Sequence, residues 1–127
     1  MVIISASIDE ETLAELDAIE KTLGFSGRSE AIRAGVRSLV AESKSVERLS
    51  GEIKAVLLLV HEEKMEKNAS VLAHEFEDVV STHIHSNLKH EKCLEILVLA
   101  GSAERIRELF RSAKAGRKME YAKLVVP

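Results

Sequence analysis

The sequence predicts an α+β fold in two units: a short strand with two helices, then a strand–helix–strand–strand–helix–strand unit. Three observations predict it. Residues 2–8 alternate apolar and polar and are followed by two stretches with helical periodicity. From Lys54 onward the hydrophobic pattern switches repeatedly between strand and helix periods. The chain has 127 residues, which suits one domain or two very small ones, with oligomerisation a reasonable supplement to so small a core.

In the first unit, residues 1–45, Val2, Ile4, Ala6 and Ile8 face one way and Ile3, Ser5 and Ser7 the other. Asp9 is a good N-cap. The next helix carries Leu13, Leu16, Ile19 and Leu23, and Gly24 is its stop signal. Phe25-Ser26-Gly27 makes a turn, and a second helix carries Ile32, Val36, Leu39 and Val40. Residues 41–50 are polar and form a linker compatible with helix.

The second unit, residues 51–127, opens with the apolar run Lys54–His61, a strand buried on both faces. Met65, Ala69, Leu72 and Phe76 define an amphipathic helix. Val79–His85 and Cys93–Ala100 are strands. Ser102 can cap the helix of Ala103, Ile106, Leu109, Phe110 and Ala113. Residues 114–118 turn, and Tyr121–Val126 closes as a strand. The order βαββαβ is a ferredoxin-like layout.

Composition narrows the function. Charged residues are 31% of the chain and the net charge is −3, so no global basic character advertises nucleic acid. Residues 1–50 hold six Lys or Arg against nine Asp or Glu, which disfavours tight nonspecific DNA binding. A single cysteine suits a reducing compartment. No basic, apolar leader opens the chain, and its longest apolar run, Ala55–Val60, is too short for a bilayer. These features predict a cytoplasmic protein without membrane contact. No paired catalytic carboxylates, nucleophile elbow or phosphate loop occurs, so enzymatic activity is not expected.

A lone strand with two helices cannot bury its edge, whereas two copies can pair strands and interlock helices. This unit, with Arg28-Ser29-Glu30-Ala31-Ile32-Arg33 opening its second helix, resembles the ribbon-helix-helix DNA-binding family. The resemblance implies a double-stranded DNA operator read in the major groove by Ile3, Ser5 and Ser7. It implies a backbone phosphate held at the helix start by Gly27, Arg28 and Ser29. Ile3 departs from the arginine frequent in close relatives and offers only an apolar contact.

The segment His83–Glu95 holds three histidines and the only cysteine. Strand alternation puts Val80, Thr82, Ile84, Leu94, Ile96 and Val98 on the core face. His83, His85, Cys93 and Glu95 then share the opposite face. Pairing His85 with Cys93 also pairs His83 with Glu95, and Glu95 can fix the tautomer of a ligating imidazole. His74 lies about 200° around its helix from the apolar stripe and so faces solvent or another subunit. His61 and His90 flank the cluster as weaker contacts. A thiolate with imidazoles suits a transition metal.

The two units together, with Cys93-Leu94-Glu95, resemble the nickel-responsive repressor family, whose second unit is ACT-like. The resemblance covers nearly the whole chain. It implies a square-planar nickel site with His85 and Cys93 as ligands and His74 donated across a tetramer, a dimer of dimers. The family's fourth ligand, a histidine, falls on Asn87, and His83 is the substitute on the same face. Asn is a poor ligand for nickel or copper, so zinc or cobalt also enters consideration. The leading expectation is a metal-responsive transcriptional regulator. The alternatives are a ribbon-helix-helix regulator whose ACT-like unit senses a small molecule, and a metal-binding protein without a tight nickel response.

Overall fold

The computed structural model describes residues 1–115 and 119–127, without the side chains of residues 66 and 67. It separates into two compact units, Met1–Ser45 and Val46–Pro127.

In the first unit, helix α1 spans Glu10–Leu23. The Asp9 carboxylate accepts the Thr12 amide at 2.7 Å, which satisfies one of the free donors at the helix start. Gly24 ends the helix at φ 73, a left-handed conformation that favours glycine. Helix α2 spans Arg28–Glu47, so the polar segment after Val40 begins as helix. Ser26 precedes α2, and its amide donates to Glu30 at 2.7 Å. Residues 2–8 form no strand, and Val2, Ile3, Ile4 and Ile8 are all exposed. This departs from the expected two-faced strand. Its cause is physical: a strand exists by its ladder, and the first unit contains no second strand to supply one.

The second unit carries strands β1 (Glu52–Glu62), β2 (Val80–Leu88), β3 (Lys92–Ser102) and β4 (Met119–Val125). Helix α3 spans Glu66–Glu75 after a single 3-10 turn, and α4 spans Ala103–Ala115. The sheet order is β2-β3-β1-β4, with every neighbouring pair antiparallel, as a ferredoxin-like βαββαβ unit requires. Ser102 Oγ accepts the Arg105 amide at 3.2 Å, the expected cap of α4. Of the expected turn at 114–118, residues 116–118 lie outside the described residues.

The core lies between the helices and one sheet face. Leu57, Leu59, Leu97, Leu99, Ile106 and Leu109 are essentially solvent-free within it. Along β1 only alternate residues are buried, so the strand is not enclosed on both faces. The opposite sheet face is apolar yet open: Ile84, Val98, Tyr121 and Val125 are exposed there, and Leu58 and Ile96 half-buried. No described helix is long and apolar enough to cross a membrane.

Candidate metal centre

The β2–β3 hairpin places most of the His83–Glu95 cluster, and its register departs from the expected one. Asn87 lies opposite Cys93, His85 opposite Glu95, and His83 opposite Leu97. The turn explains the two-residue slide. Strand β2 continues to Leu88, and the chain reverses at His90 and Glu91, both left-handed with φ 63 and 57. The slide is even, so the side chains that share a face remain together.

The face itself is the reverse of the expectation. Cys93 and Glu95 point into the helix-covered core with Leu97 and Leu99, whereas Leu94, Ile96 and Val98 lie on the open face. Both sets in β3 are rich in apolar residues, so hydrophobicity within that strand could not choose between them. Strand β1 decides. Its buried residues Ala55, Leu57, Leu59 and His61 pair with Leu99, Leu97, Glu95 and Cys93.

A buried polar constellation results. Glu95 is 1% exposed and His61 is 1% exposed. His61 Nε2 lies 3.1 Å from Glu95 Oε1, and His83 Nε2 lies 2.5 Å from Glu95 Oε2. His85 Nε2 stands 3.9 Å from Glu95 Oε1. His61 Nδ1 lies 2.7 Å from the Glu62 carbonyl, which can only accept, so this nitrogen carries a proton. The expected contact of His83 with Glu95 therefore exists, but as a diagonal one. His83 and His85 are about a third exposed on edge strand β2, so the cluster reaches solvent through them. His61 is the member that the sequence underrated. Its signal is parity, since it follows Leu57 and Leu59 at spacing two and so occupies a core position.

Cys93 is fully buried, and its Sγ lies 3.8 Å from Asn87 Oδ1. His74 is exposed on α3 as its helix phase requires, 3.4 Å from Glu77. Arg105 braces the following turn. It holds Asp78 through two nitrogens at 3.0 and 3.2 Å, donates to the Glu75 carbonyl at 3.1 Å, and covers the Phe76 ring. Its guanidinium holds the Asp78 carboxyl below the usual carboxylate range. His90 sits instead at the hairpin tip beside an open cavity of about 540 Å³, with Glu62, Glu63 and Lys64.

The candidate DNA residues lie in the first unit. Ile3, Ser5 and Ser7 are exposed. Gly27 immediately precedes α2, and Arg28 and Ser29 form its first turn. Arg28 is engaged by Asp17 through Nε at 2.9 Å and Nη2 at 3.1 Å. That hydrogen-bonded pairing lowers the Asp17 carboxyl and raises the Arg28 guanidinium further. A phosphate contact by this arginine therefore competes with an intramolecular carboxylate, which the sequence did not reveal.

Residues 54–126 match the family described as NikR C terminal nickel binding domain, and residues 2–43 match Ribbon-helix-helix protein, copG family. This chain belongs to the NikR family. Relatives that carry the name nickel-responsive regulator include one from Methanococcus maripaludis, 31% identical over 97% of this chain and 89% of its own length. Another, from Methanocaldococcus jannaschii, is 31% identical with the same coverage. Over 60% of its length the chain also resembles the solved uncharacterized protein TM1266 from Thermotoga maritima, with TM-score 0.54 at 19% identity and 98% of that chain covered. That likeness concerns fold alone. Relatives in the NikR family are named as regulators, not as enzymes.

The residues present meet a square-planar nitrogen–sulfur donor set only in part. Cys93 and His85 share a face and His74 is free of the core, but the residue across from Cys93 is the carboxamide of Asn87. Among the described residues, no three His, Cys, Asp or Glu side chains already stand around one point as metal ligands.

Proposed function

We propose that this chain is a metal-responsive, DNA-binding transcriptional regulator acting as a dimer of dimers in the cytoplasm. Nickel is the metal to which the family points. Its ligands would come from His85 and Cys93, with His83 in place of Asn87 and His74 contributed by a second copy. Glu95 would orient the His83 ring. Ile3, Ser5 and Ser7 would face base edges once two copies pair their N-terminal segments, and Gly27, Arg28 and Ser29 would meet the phosphate backbone. Metal would act by favouring one arrangement of the oligomer over another, which requires it to bind that arrangement more tightly.

One observation carries this reading. A ribbon-helix-helix match and a buried cysteine sharing a face with two histidines occur in the same chain. The experiment selects DNA sites from a random duplex pool and measures retention with nickel and with chelator. Metal-dependent retention that Ser5→Ala with Ser7→Ala abolishes is the expected result. Retention indifferent to nickel, with no nickel bound by calorimetry, would falsify the reading.

A further inference from the structure

We propose that Arg105 is a positioning residue for the metal centre: its guanidinium pins the turn that follows α3 and so holds His74 where a second subunit can reach it. The proposal deepens the regulator reading and rests on it, because His74 matters here only as a ligand.

The segment to be held is intrinsically loose. Helix α3 has ten residues, and a helix that short is marginal in water without packing. Its N-cap, Met65, makes no side-chain capping bond. His74 lies in its last turn with its side chain 83% exposed, so the imidazole is not fixed by burial. Ligation nonetheless demands a position defined to about 0.5 Å. Contacts from outside α3 have to supply that definition.

Arg105 supplies it through three different contacts of one guanidinium. Nη2 donates to the Glu75 carbonyl at 3.1 Å, one of the carbonyls that a helix end leaves open. Nε and Nη2 together grip the Asp78 carboxylate at 3.0 and 3.2 Å, a two-point bond that fixes direction as well as distance. The guanidinium carbon also lies 4.2 Å from the centre of the Phe76 ring, which is itself buried. Residues 75, 76 and 78 are thereby tied to one side chain immediately after His74. Glu77, within the same turn, donates its amide to the His74 carbonyl at 3.2 Å, and its carboxylate stands 3.4 Å from His74 Nδ1. That leaves Nε2 as the ring nitrogen for a metal.

The anchor is stiff. Helix α4 is capped by Ser102 and buries Ala103, Ile106, Leu109, Phe110 and Ala113. Arg105, half-buried beside Ile106, carries that rigidity to the turn. Arg107 on the same helix offers a contrast, because its Nη1 donates instead to the Val46 and Leu49 carbonyls at 3.1 and 2.7 Å. Both arginines satisfy open carbonyls, but of the two it is Arg105 that holds the His74 turn.

The test titrates nickel into the metal-free full-length protein against a competing chelator. Arg105→Met should weaken nickel about tenfold or more. Arg107→Met, which also loses its bonds to backbone carbonyls, should bind nickel as the unaltered protein does. In a His74→Gln background Arg105→Met should have no further effect, since changes that act through one ligand do not add. Circular dichroism checks each fold; if Arg105→Met is unfolded, Arg105→Lys, which keeps the charge without the planar fork, is judged by the same criteria. If His74→Gln binds too weakly to measure, the contrast between the two arginines decides alone. Unaltered affinity in Arg105→Met, equal weakening in Arg107→Met, or a full further loss in the His74→Gln background overturns the positioning role and leaves the regulator reading standing. Failure of the unaltered protein to bind nickel overturns both.

Discussion

At the scale of single residues, Asn87 governs what Cys93 can do. The carboxamide is a neighbour at 3.8 Å but a weak donor to nickel. Asn87→His places an imidazole directly across from the cysteine. Nickel should then bind at least about tenfold more tightly, with a stronger thiolate-to-nickel band in an absorption titration. Unchanged affinity would show that the hairpin position is not a ligand position. The register that makes Asn87 the neighbour was hidden in the sequence. It depends on His90 and Glu91 adopting left-handed conformations, which non-glycine residues seldom do. His61 was obscured for another reason. It ends an apolar run, so its burial is evident only after the parity of β1 is known.

At the scale of elements, the end of α2 is an instructive case. Its last turn folds with the second unit, where Val46 packs on the core. Arg107 Nη1 on α4 donates to the Leu49 carbonyl at 2.7 Å and the Val46 carbonyl at 3.1 Å. A cation at a helix C-terminus is favourable, and these bonds satisfy carbonyls that the helix leaves open. Arg107→Met keeps much of the side-chain volume and removes both bonds. It should lower stability by about 1–3 kcal/mol, read from the urea midpoint. The helices were legible in the sequence because caps and periodicity agreed, as at Asp9, Gly24 and Ser102, whereas the alternation of residues 2–8 announced a strand that finds no ladder in the first unit. The buried face of β3 was not legible, because apolar residues occupy both of its sides.

For the whole molecule, two properties follow from surfaces and charges. The open sheet face exposes Ile84 and Val98 around half-buried Ile96, an apolar surface suited to contact with a second subunit. Ile96→Asp should convert the oligomer to a smaller species by light scattering while leaving the helix-covered core intact. The second property is acid lability. Hydrogen bonds lower the carboxyls of Asp9 through Thr12, Asp17 through Arg28, Glu30 through Ser26 and Asp78 through Arg105. A carboxyl lowered by folding contributes stability that is fully present above its unfolded value near 4 and is lost as pH falls through its folded value. The thermal midpoint should therefore be level above about pH 5 and fall below about pH 4. Because these groups are exposed, 1 M salt should flatten that fall.

The turn at His90 and Glu91 has an evolutionary consequence. Removing two residues from the connection between His85 and Cys93 would slide the paired histidines outward and set His85 against the thiol. Removing one would carry the histidines to the opposite side of the sheet, since strand side chains alternate with period two. Loop length in this hairpin is thus a dial with even stops. Insertion or deletion in this hairpin alone can bring a β2 histidine to the thiol or take it away, without changing either side chain.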